Sequence, residues 1–157
     1  MVIKIMGRIA IEKYCSMPLN ENVALISVCD AGDDFVSLLF KPANLLQLSF
    51  DDVDSDVFVD ELGESYPVNQ TAEIEEKYNM LSREQASQIA CFVNHVWGKV
   101  DVLVCQCEHG QSRSAAIAAA ITEYKLKRGI EVFADERYYP NKFIYWRVLN
   151  KLKEMDE

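Results

Sequence analysis

Proline, glycine and long apolar runs are all scarce in this sequence. Its 157 residues include 4 prolines and 6 glycines, whereas 50% are hydrophobic. This composition excludes collagen-like, fibrous and disordered chains. The longest apolar run within a helical pattern covers residues 115–121, far short of the roughly twenty residues that a membrane helix needs. We therefore expect a single globular domain over residues 1–157, with no membrane as partner.

A secretory signal and a disulfide framework are also missing. The segment 1–15 is apolar but is interrupted by Lys4, Arg8 and Glu12, and it lacks a small-residue cleavage site. The 5 cysteines are an odd number and are scattered along the chain, which does not suggest paired disulfides in a chain long enough to pack a core. These features predict a cytoplasmic protein with reduced thiols.

Positive charge is the scarcer sign. The 16 Lys and Arg residues are outnumbered by 25 Asp and Glu residues, which gives a net charge of -9. Part of this excess is one acidic segment without an intervening Lys or Arg, formed by Asp51, Asp52, Asp54, Asp56, Asp60, Glu61 and Glu64. The basic residues cluster only at 125–128, where a helix is predicted to end. Nucleic acid is therefore a poor candidate partner.

Hydrophobic patterning predicts strands that alternate with helices. We expect strands at 23–28, 45–50 and 102–106, and helices at 8–14, after the capping box 82–85, at 114–127 with Gly129 as its terminator, and after the N-cap Asn141. The polar segment 51–80 is predicted to be a long loop or lid. This alternation implies an α/β fold, with a central, mostly parallel sheet flanked by helices and strand 102–106 at its centre.

Three large side chains on the predicted helices are assigned to the core or its edge. Trp97 and Trp146 occur at helical spacing with apolar residues, and His95 has apolar helix neighbours. We expect both tryptophans to be core residues and His95 to lie in the core or at its edge.

The segment 107–114, Cys-Glu-His-Gly-Gln-Ser-Arg-Ser, lies between the predicted central strand and a buried helix. A strand that turns sharply into a helix directs backbone N–H groups and the positive helix end toward one spot, where anions bind. These amides, together with Arg113, would stabilise a Cys107 thiolate and make it a nucleophile. Gly110 permits close backbone approach, and the Ser114 hydroxyl can donate a hydrogen bond to the departing sulfur.

This Cys-x-x-Gly-x-x-Arg-Ser pattern resembles the loop of the cysteine-dependent protein tyrosine and dual-specificity phosphatases, particularly the small dual-specificity type. The resemblance extends over residues 23–129. It implies that Cys107 forms a phosphocysteine intermediate and that no metal or other cofactor takes part. The phosphate-binding residues that it implies are Cys107, Glu108, His109, Gly110, Gln111, Ser112 and Arg113.

The same family uses an aspartate on a separate loop as general acid. The segment 48–52, Leu-Ser-Phe-Asp-Asp, resembles the family's strand end and puts the acid at Asp52, with Asp51 and Asp54 as competitors. The separation between Asp52 and Cys107 is longer than usual, which suggests an inserted lid. A second departure is Gln106, which stands where the family commonly has a histidine.

The favoured function is a phosphomonoesterase that acts on phosphotyrosine or phosphoserine/threonine, in a protein or a small ester. Substrates with several phosphates are disfavoured because the variable loop positions carry no Lys or Arg. One alternative is a phosphate-recognition module without catalysis. Another is a thiol-dependent arsenate reductase with Cys105 as its resolving cysteine. Cys105 is otherwise expected in the core, and its spacing with Cys107 and His109 is not a common zinc pattern.

Overall fold

A four-stranded sheet forms the centre of the computed structural model, which describes residues 1–156. The strands are β1 (Val2–Met6), β2 (Val23–Cys29), β3 (Asn44–Ser49) and β4 (Val102–Gln106). Their order is β1-β4-β2-β3, and every neighbouring pair is parallel. The predicted α/β class is confirmed. β4 occupies one of the two inner positions, and all its residues are buried, as expected for a strand covered on both faces.

Residues 1–156 also form seven α-helices and a 3₁₀ turn at Val68–Gln70, and the last three of these helices follow the last strand. The helices are α1 (Arg8–Tyr14), α2 (Asp56–Leu62), α3 (Ala72–Lys77), α4 (Arg83–Val96), α5 (Arg113–Leu126), α6 (Ile130–Ala134) and α7 (Lys142–Glu154). Within residues 1–156, none of them has the length and apolar character needed to cross a bilayer.

Side chains of β2 alternate between two hydrophobic cores, since successive residues of a strand point to opposite faces. Ala24, Ile26 and Val28 contribute to the larger core, which also contains buried residues of α4, α5 and α7. Val23 and Leu25 pack on the other face with Ile11 of α1. The sheet is therefore covered on both sides, and its carboxyl edge is the place where loops can form a site.

Helix α5 is buried along most of its length, as its alanine-rich sequence predicts. Its end differs from the expectation. The helix stops at Lys127, which adopts a left-handed φ of 59° and donates its N–H to the Glu123 carbonyl. Gly129 instead starts α6, and a Cβ there would lie 2.6 Å from the Glu123 Cβ. Glycine is required at 129 for close packing against α5.

The segment 51–80 is not the long loop that the sequence predicts. It contains α2, the 3₁₀ turn and α3. Val57, Phe58, Ile74 and Met80 bury in a third, small core, and the Phe58 ring packs edge-on against Phe143 of α7 at 5.8 Å between centroids. Burial of a few apolar side chains against α7 thus orders a segment whose composition is mainly polar.

The capping box of α4 is confirmed, because Ser82 and Gln85 bond each other's backbone N–H groups. The two tryptophans assigned to the core are less buried than expected, and His95, assigned to the core or its edge, does not lie in the core. His95 is exposed, Trp97 is half-buried, and Trp146 is 54% exposed. Each lies beside the buried stripe of its helix, which comprises residues 86, 89, 90, 93 and 96 in α4 and residues 144, 145, 148, 149 and 152 in α7.

Candidate active site

Cys107 is the first residue after β4, and five residues separate it from Arg113, where α5 begins. Its backbone N–H donates to the Met6 carbonyl at 3.2 Å, which continues the pairing of β4 with β1. The side chain is 3% exposed. Strand and helix together place the thiol at the bottom of the predicted loop.

The backbone N–H and the hydroxyl group of Ser114 both meet the sulfur of Cys107. The Ser114 backbone N–H donates to Sγ at 3.4 Å, and the Ser114 hydroxyl oxygen lies 3.1 Å from the same atom. Ser114 is fully buried in the first turn of α5, where the helix dipole favours negative charge. The sulfur therefore lies against a backbone amide and a neutral hydroxyl at the start of α5.

Gly110 fits the loop against the connection between β1 and α1. It adopts a left-handed φ of 67°, and a Cβ at this position would lie 2.5 Å from the Gly7 nitrogen and 2.7 Å from the Met6 carbonyl carbon. Beside it, the Arg8 N–H donates to the Glu108 carbonyl at 2.9 Å. Both the conformation and the close approach therefore require glycine.

The Arg113 guanidinium is held by the ends of β2 and β3. Its Nη1 donates to the Phe50 carbonyl at 2.8 Å and lies 2.6 Å from Oδ1 of Asp30. Arg113 is 5% exposed. Its buried Nε has no hydrogen-bond partner among the described residues, although buried donors are nearly always satisfied. The Nη1 group of the guanidinium is thus fixed by the protein, and the Nε N–H remains as a donor for an anion.

Asp52 lies against the loop from the other side. Its Oδ1 accepts hydrogen bonds from the Ser112 hydroxyl at 2.8 Å and from the Asn141 side-chain amide at 2.9 Å. No donor to Oδ2 is found within residues 1–156. One oxygen of this carboxyl group is therefore held by the protein, and the other is left without a donor in the described part of the chain.

The two competing aspartates have different partners. Asp51 accepts the Ala31 N–H at 2.9 Å and so ties together the loops that follow β2 and β3. Asp54 accepts the backbone N–H groups of Lys142 and Phe143 at 3.0 and 3.1 Å, which caps the first turn of α7. Of the three, Asp52 bonds the loop 107–114 through the Ser112 hydroxyl, whereas Asp51 and Asp54 bond backbone amides elsewhere.

Gln106 occupies the position where the resemblance leads one to expect a histidine. It is buried; its Nε2 donates to the Cys107 carbonyl at 3.0 Å, and its Oε1 accepts from the Ser27 hydroxyl at 2.5 Å. The amide therefore connects β2 to the first peptide of the loop, and both of its ends are satisfied. A neutral side chain performs this positioning without adding charge near the sulfur.

Cys105 is a core residue, as predicted. It is 0% exposed, and burial raises the pKa of its thiol far above the usual range. Cys105 lies in β4 and Cys107 directly follows it, so the two residues are two positions apart, face the same core, and are about 6.6 Å apart along an extended chain. A disulfide needs Cβ atoms about 3.8 Å apart. Cys105 is therefore badly placed as a resolving cysteine for an arsenate reductase.

The remaining predicted loop residues form the rim. Glu108, His109 and Gln111 are exposed, whereas Ser112 is half-buried and turns toward Asp52. Among residues 1–156, no group of three or more His, Cys, Asp or Glu side chains is arranged to hold a metal ion. The structure thus brings together Cys107, Arg113 and Ser114 at the base, with Asp52 to one side.

Sequence reasoning missed two residues of this site. Asp30, at the end of β2, pairs with Arg113, and Asn141, interpreted only as a helix cap, also contacts Asp52. The Asp30 position could have been found, because the carboxyl ends of adjacent parallel strands meet at one edge of the sheet. No local pattern links Asn141 to an aspartate 89 residues away.

Comparison with known proteins identifies the fold. No protein-family model and no curated protein matches the sequence. The crystal structure of human DUSP28 is similar over 98% of this chain and 93% of its own, with 14% identity and a TM-score of 0.52. The crystal structure of PTPMT1 is similar over 99% and 92%, with 15% identity and a TM-score of 0.50. The chain has the fold of the cysteine-dependent protein tyrosine and dual-specificity phosphatases.

Proposed function

We propose that this protein is a cysteine-dependent phosphomonoesterase that hydrolyses phosphotyrosine or phosphoserine/threonine, in a phosphorylated protein or a small ester. One observation carries the proposal. The Cys107 sulfur meets two donors from Ser114 at the start of α5, and the next residue toward the loop, Arg113, has a buried Nε without a partner. A nucleophile and an anion-binding donor thus occur at the same helix terminus. The fold is consistent with this activity.

In the first step, the Cys107 thiolate attacks phosphorus in line with the ester oxygen, and a sulfur–phosphorus bond replaces the oxygen–phosphorus bond. Loop amides and the Arg113 Nε stabilise the charge on the equatorial oxygens. Asp52 gives a proton to the departing alcohol or phenol. Its Oδ1 is held by Ser112 and Asn141, so Oδ2 is the oxygen that carries this proton.

In the second step, water attacks the phosphocysteine while the Asp52 carboxylate takes a proton from that water. The sulfur–phosphorus bond breaks, inorganic phosphate is released, and the thiolate is restored. The Ser114 hydroxyl, 3.1 Å from Sγ, donates a hydrogen bond to the sulfur as it regains negative charge. The cycle requires no metal and no other cofactor.

The decisive experiment is turnover of p-nitrophenyl phosphate by the purified protein, with and without a thiol reductant. Substitution Cys107→Ser should reduce release of p-nitrophenol to background while binding of inorganic phosphate or vanadate persists, because Arg113 and the loop amides remain. Cys105→Ser is the matched control, and it should retain most of the activity because this thiol is buried in the core.

Two other outcomes would contradict the proposal. Near-wild-type turnover by Cys107→Ser would refute the assigned nucleophile. Phosphate binding by the wild-type protein without turnover, in reductant, would favour a phosphate-recognition module.

A further inference from the structure

The cleft in front of Arg113 is strongly acidic. Five carboxylates line it: Asp30, Asp33, Asp51, Asp52 and Glu108. They come from the loops that follow β2, β3 and β4, which meet at the carboxyl edge of the sheet. Among the described lining residues, Arg113 is the sole arginine or lysine. A cleft proposed to bind a phosphate dianion is thus surrounded by negative charge.

An anion site nevertheless lies within this acidic cleft. Arg113 is 95% buried, and its Nε lacks a partner in the described part of the chain. A buried guanidinium N–H without an acceptor is costly, so a ligand oxygen is the expected partner. The cleft therefore combines one anion-binding donor with an acidic wall, formed by the five carboxylates, that repels further negative charge.

Some of the five carboxylates already form hydrogen bonds or ion pairs with other groups of the protein. Asp51 accepts the Ala31 amide, Asp52 accepts Ser112 and Asn141, and Glu108 pairs with Arg8 at 2.8 Å. Asp33 is exposed, and its carboxylate has no hydrogen bond or ion pair within residues 1–156. Asp30 pairs with Arg113 but remains half exposed. Among the described residues, Asp33 is therefore the carboxylate without a protein partner, and the half-exposed Asp30 lies in the same turn.

Backbone hydrogen bonds in the turn after β2 hold residues 30 and 33 close together. The Asp33 N–H donates to the Asp30 carbonyl at 3.0 Å, and the Ala31 N–H is anchored to Asp51. A phosphate bound at Arg113 would neutralise the guanidinium of the cleft. The negative charge of the acidic wall would then remain uncompensated. A cation held next to that phosphate would be attracted by Asp30 and Asp33 in a partly desolvated cleft.

Resting on the proposed function, we infer that the substrate is a phosphopeptide with a Lys or Arg side chain beside the phosphorylated residue, and that Asp30 and Asp33 bind this basic side chain. An extended peptide advances about 3.3 Å per residue, so a long basic side chain one or two positions away reaches the turn. Polyphosphorylated substrates and acidic peptides are disfavoured, because the same wall repels them.

The test compares two phosphotyrosine peptides that are identical except for Lys or Glu at both flanking positions, with phosphoserine versions in parallel. We expect kcat/KM to be about tenfold higher for the Lys peptide at low salt, and this ratio should shrink as ionic strength rises. Equal kcat/KM for the Lys and Glu peptides would overturn the inference.

Two substitutions, each of which removes one negative charge from the same turn, test whether the peptide preference depends on Asp33. Asp33→Asn should reduce the Lys-to-Glu ratio about threefold, whereas Asp34→Asn should leave the ratio and p-nitrophenyl phosphate turnover unchanged. Asp34 is exposed and adjacent but does not line the cleft. Equal effects of the two substitutions would mean that overall charge, rather than Asp33, sets the preference.

The inference and the proposed function can fail separately. Turnover of both peptides without a preference contradicts the inference alone. If no peptide and no aryl phosphate is hydrolysed, affinity of Cys107→Ser for the two peptides is measured directly. Tighter binding of the Lys peptide then supports the acidic wall and overturns catalysis, whereas equal binding overturns both.

Discussion

The side-chain amide of Asn141 donates a hydrogen bond to Oδ1 of Asp52 at 2.9 Å, while its own carbonyl oxygen accepts the Ile144 N–H and caps α7. One residue therefore joins the last helix to the proposed general acid. The same amide also donates to the Val53 carbonyl at 3.1 Å, so it fixes the backbone that follows Asp52. The position of this acid depends on a helix that starts 90 residues later in the chain.

We predict that Asn141→Ser separates these two roles. Serine is a good N-cap, so α7 should still start at the same residue, but its hydroxyl is too short to bridge to Asp52 and Val53. Loss of these two hydrogen bonds should lower the free energy of unfolding by about 1–3 kcal/mol. Hydrolysis of phosphotyrosine should slow about tenfold, whereas p-nitrophenyl phosphate, with a better leaving group, should be affected less. Equal loss with both substrates would indicate a purely structural role for Asn141.

Substitution Asp52→Asn tests the general acid. Loss of proton donation should slow hydrolysis of an alkyl phosphate or phosphotyrosine by roughly a hundred- to ten-thousand-fold, and hydrolysis of an ester with an acidic phenol much less. Asp51→Asn and Asp54→Asn serve as controls, because those carboxylates accept backbone amides elsewhere. Leaving-group dependence in either control, and none in Asp52→Asn, would reassign the acid.

Chelation tests whether the site requires a divalent cation. In the proposed mechanism, the loop amides and Arg113 supply the charge stabilisation that a metal would otherwise provide. We therefore expect turnover of p-nitrophenyl phosphate to be unchanged after dialysis against EDTA. A loss that one divalent ion specifically restores would require a metal step and a new mechanism.

Phe58→Ala tests the ordered segment 51–80. Phe58 is buried and packs on Tyr66 and Phe143, so its truncation should lower the free energy of unfolding by about 3–5 kcal/mol, measured by urea denaturation. Val68→Ala, at a side chain that is 83% exposed, should change stability by no more than about 0.5 kcal/mol. Similar small effects of both substitutions would mean that the segment is not packed.

The sequence predicts those features that depend on residues close together in the chain. The capping box 82–85, the buried strand β4 and the loop from Cys107 to Ser114 are each specified within a few positions, and each is present in the structure. The alternation of strands and helices was sufficient to predict the parallel sheet. The roles of Cys107, Arg113 and Asp52 remain proposals that the experiments above address.

The features that sequence reasoning missed depend on distant residues. Val57 and Phe58 lie among acids, so their spacing alone does not reveal a buried face; Phe143, far along the chain, provides the packing partner. Asn141 was recognisable as a cap but not as a donor to Asp52. The prediction of Trp146 in the core is wrong, because neighbouring positions of a helix differ in direction and one of them can be buried while the next is exposed.

The contact of Gly110 with the Met6–Gly7 backbone has a consequence for local unfolding. β1 is an edge strand with a single neighbour, and edge elements open at lower free energy than a whole domain unfolds. When β1 detaches, the Met6–Gly7 backbone that packs against Gly110 moves away from the loop, although β2, β3, β4 and their helices stay folded. Heating should therefore abolish turnover at a lower temperature than the one at which helical circular dichroism is lost, and amide hydrogens of β1 should exchange before those of β2.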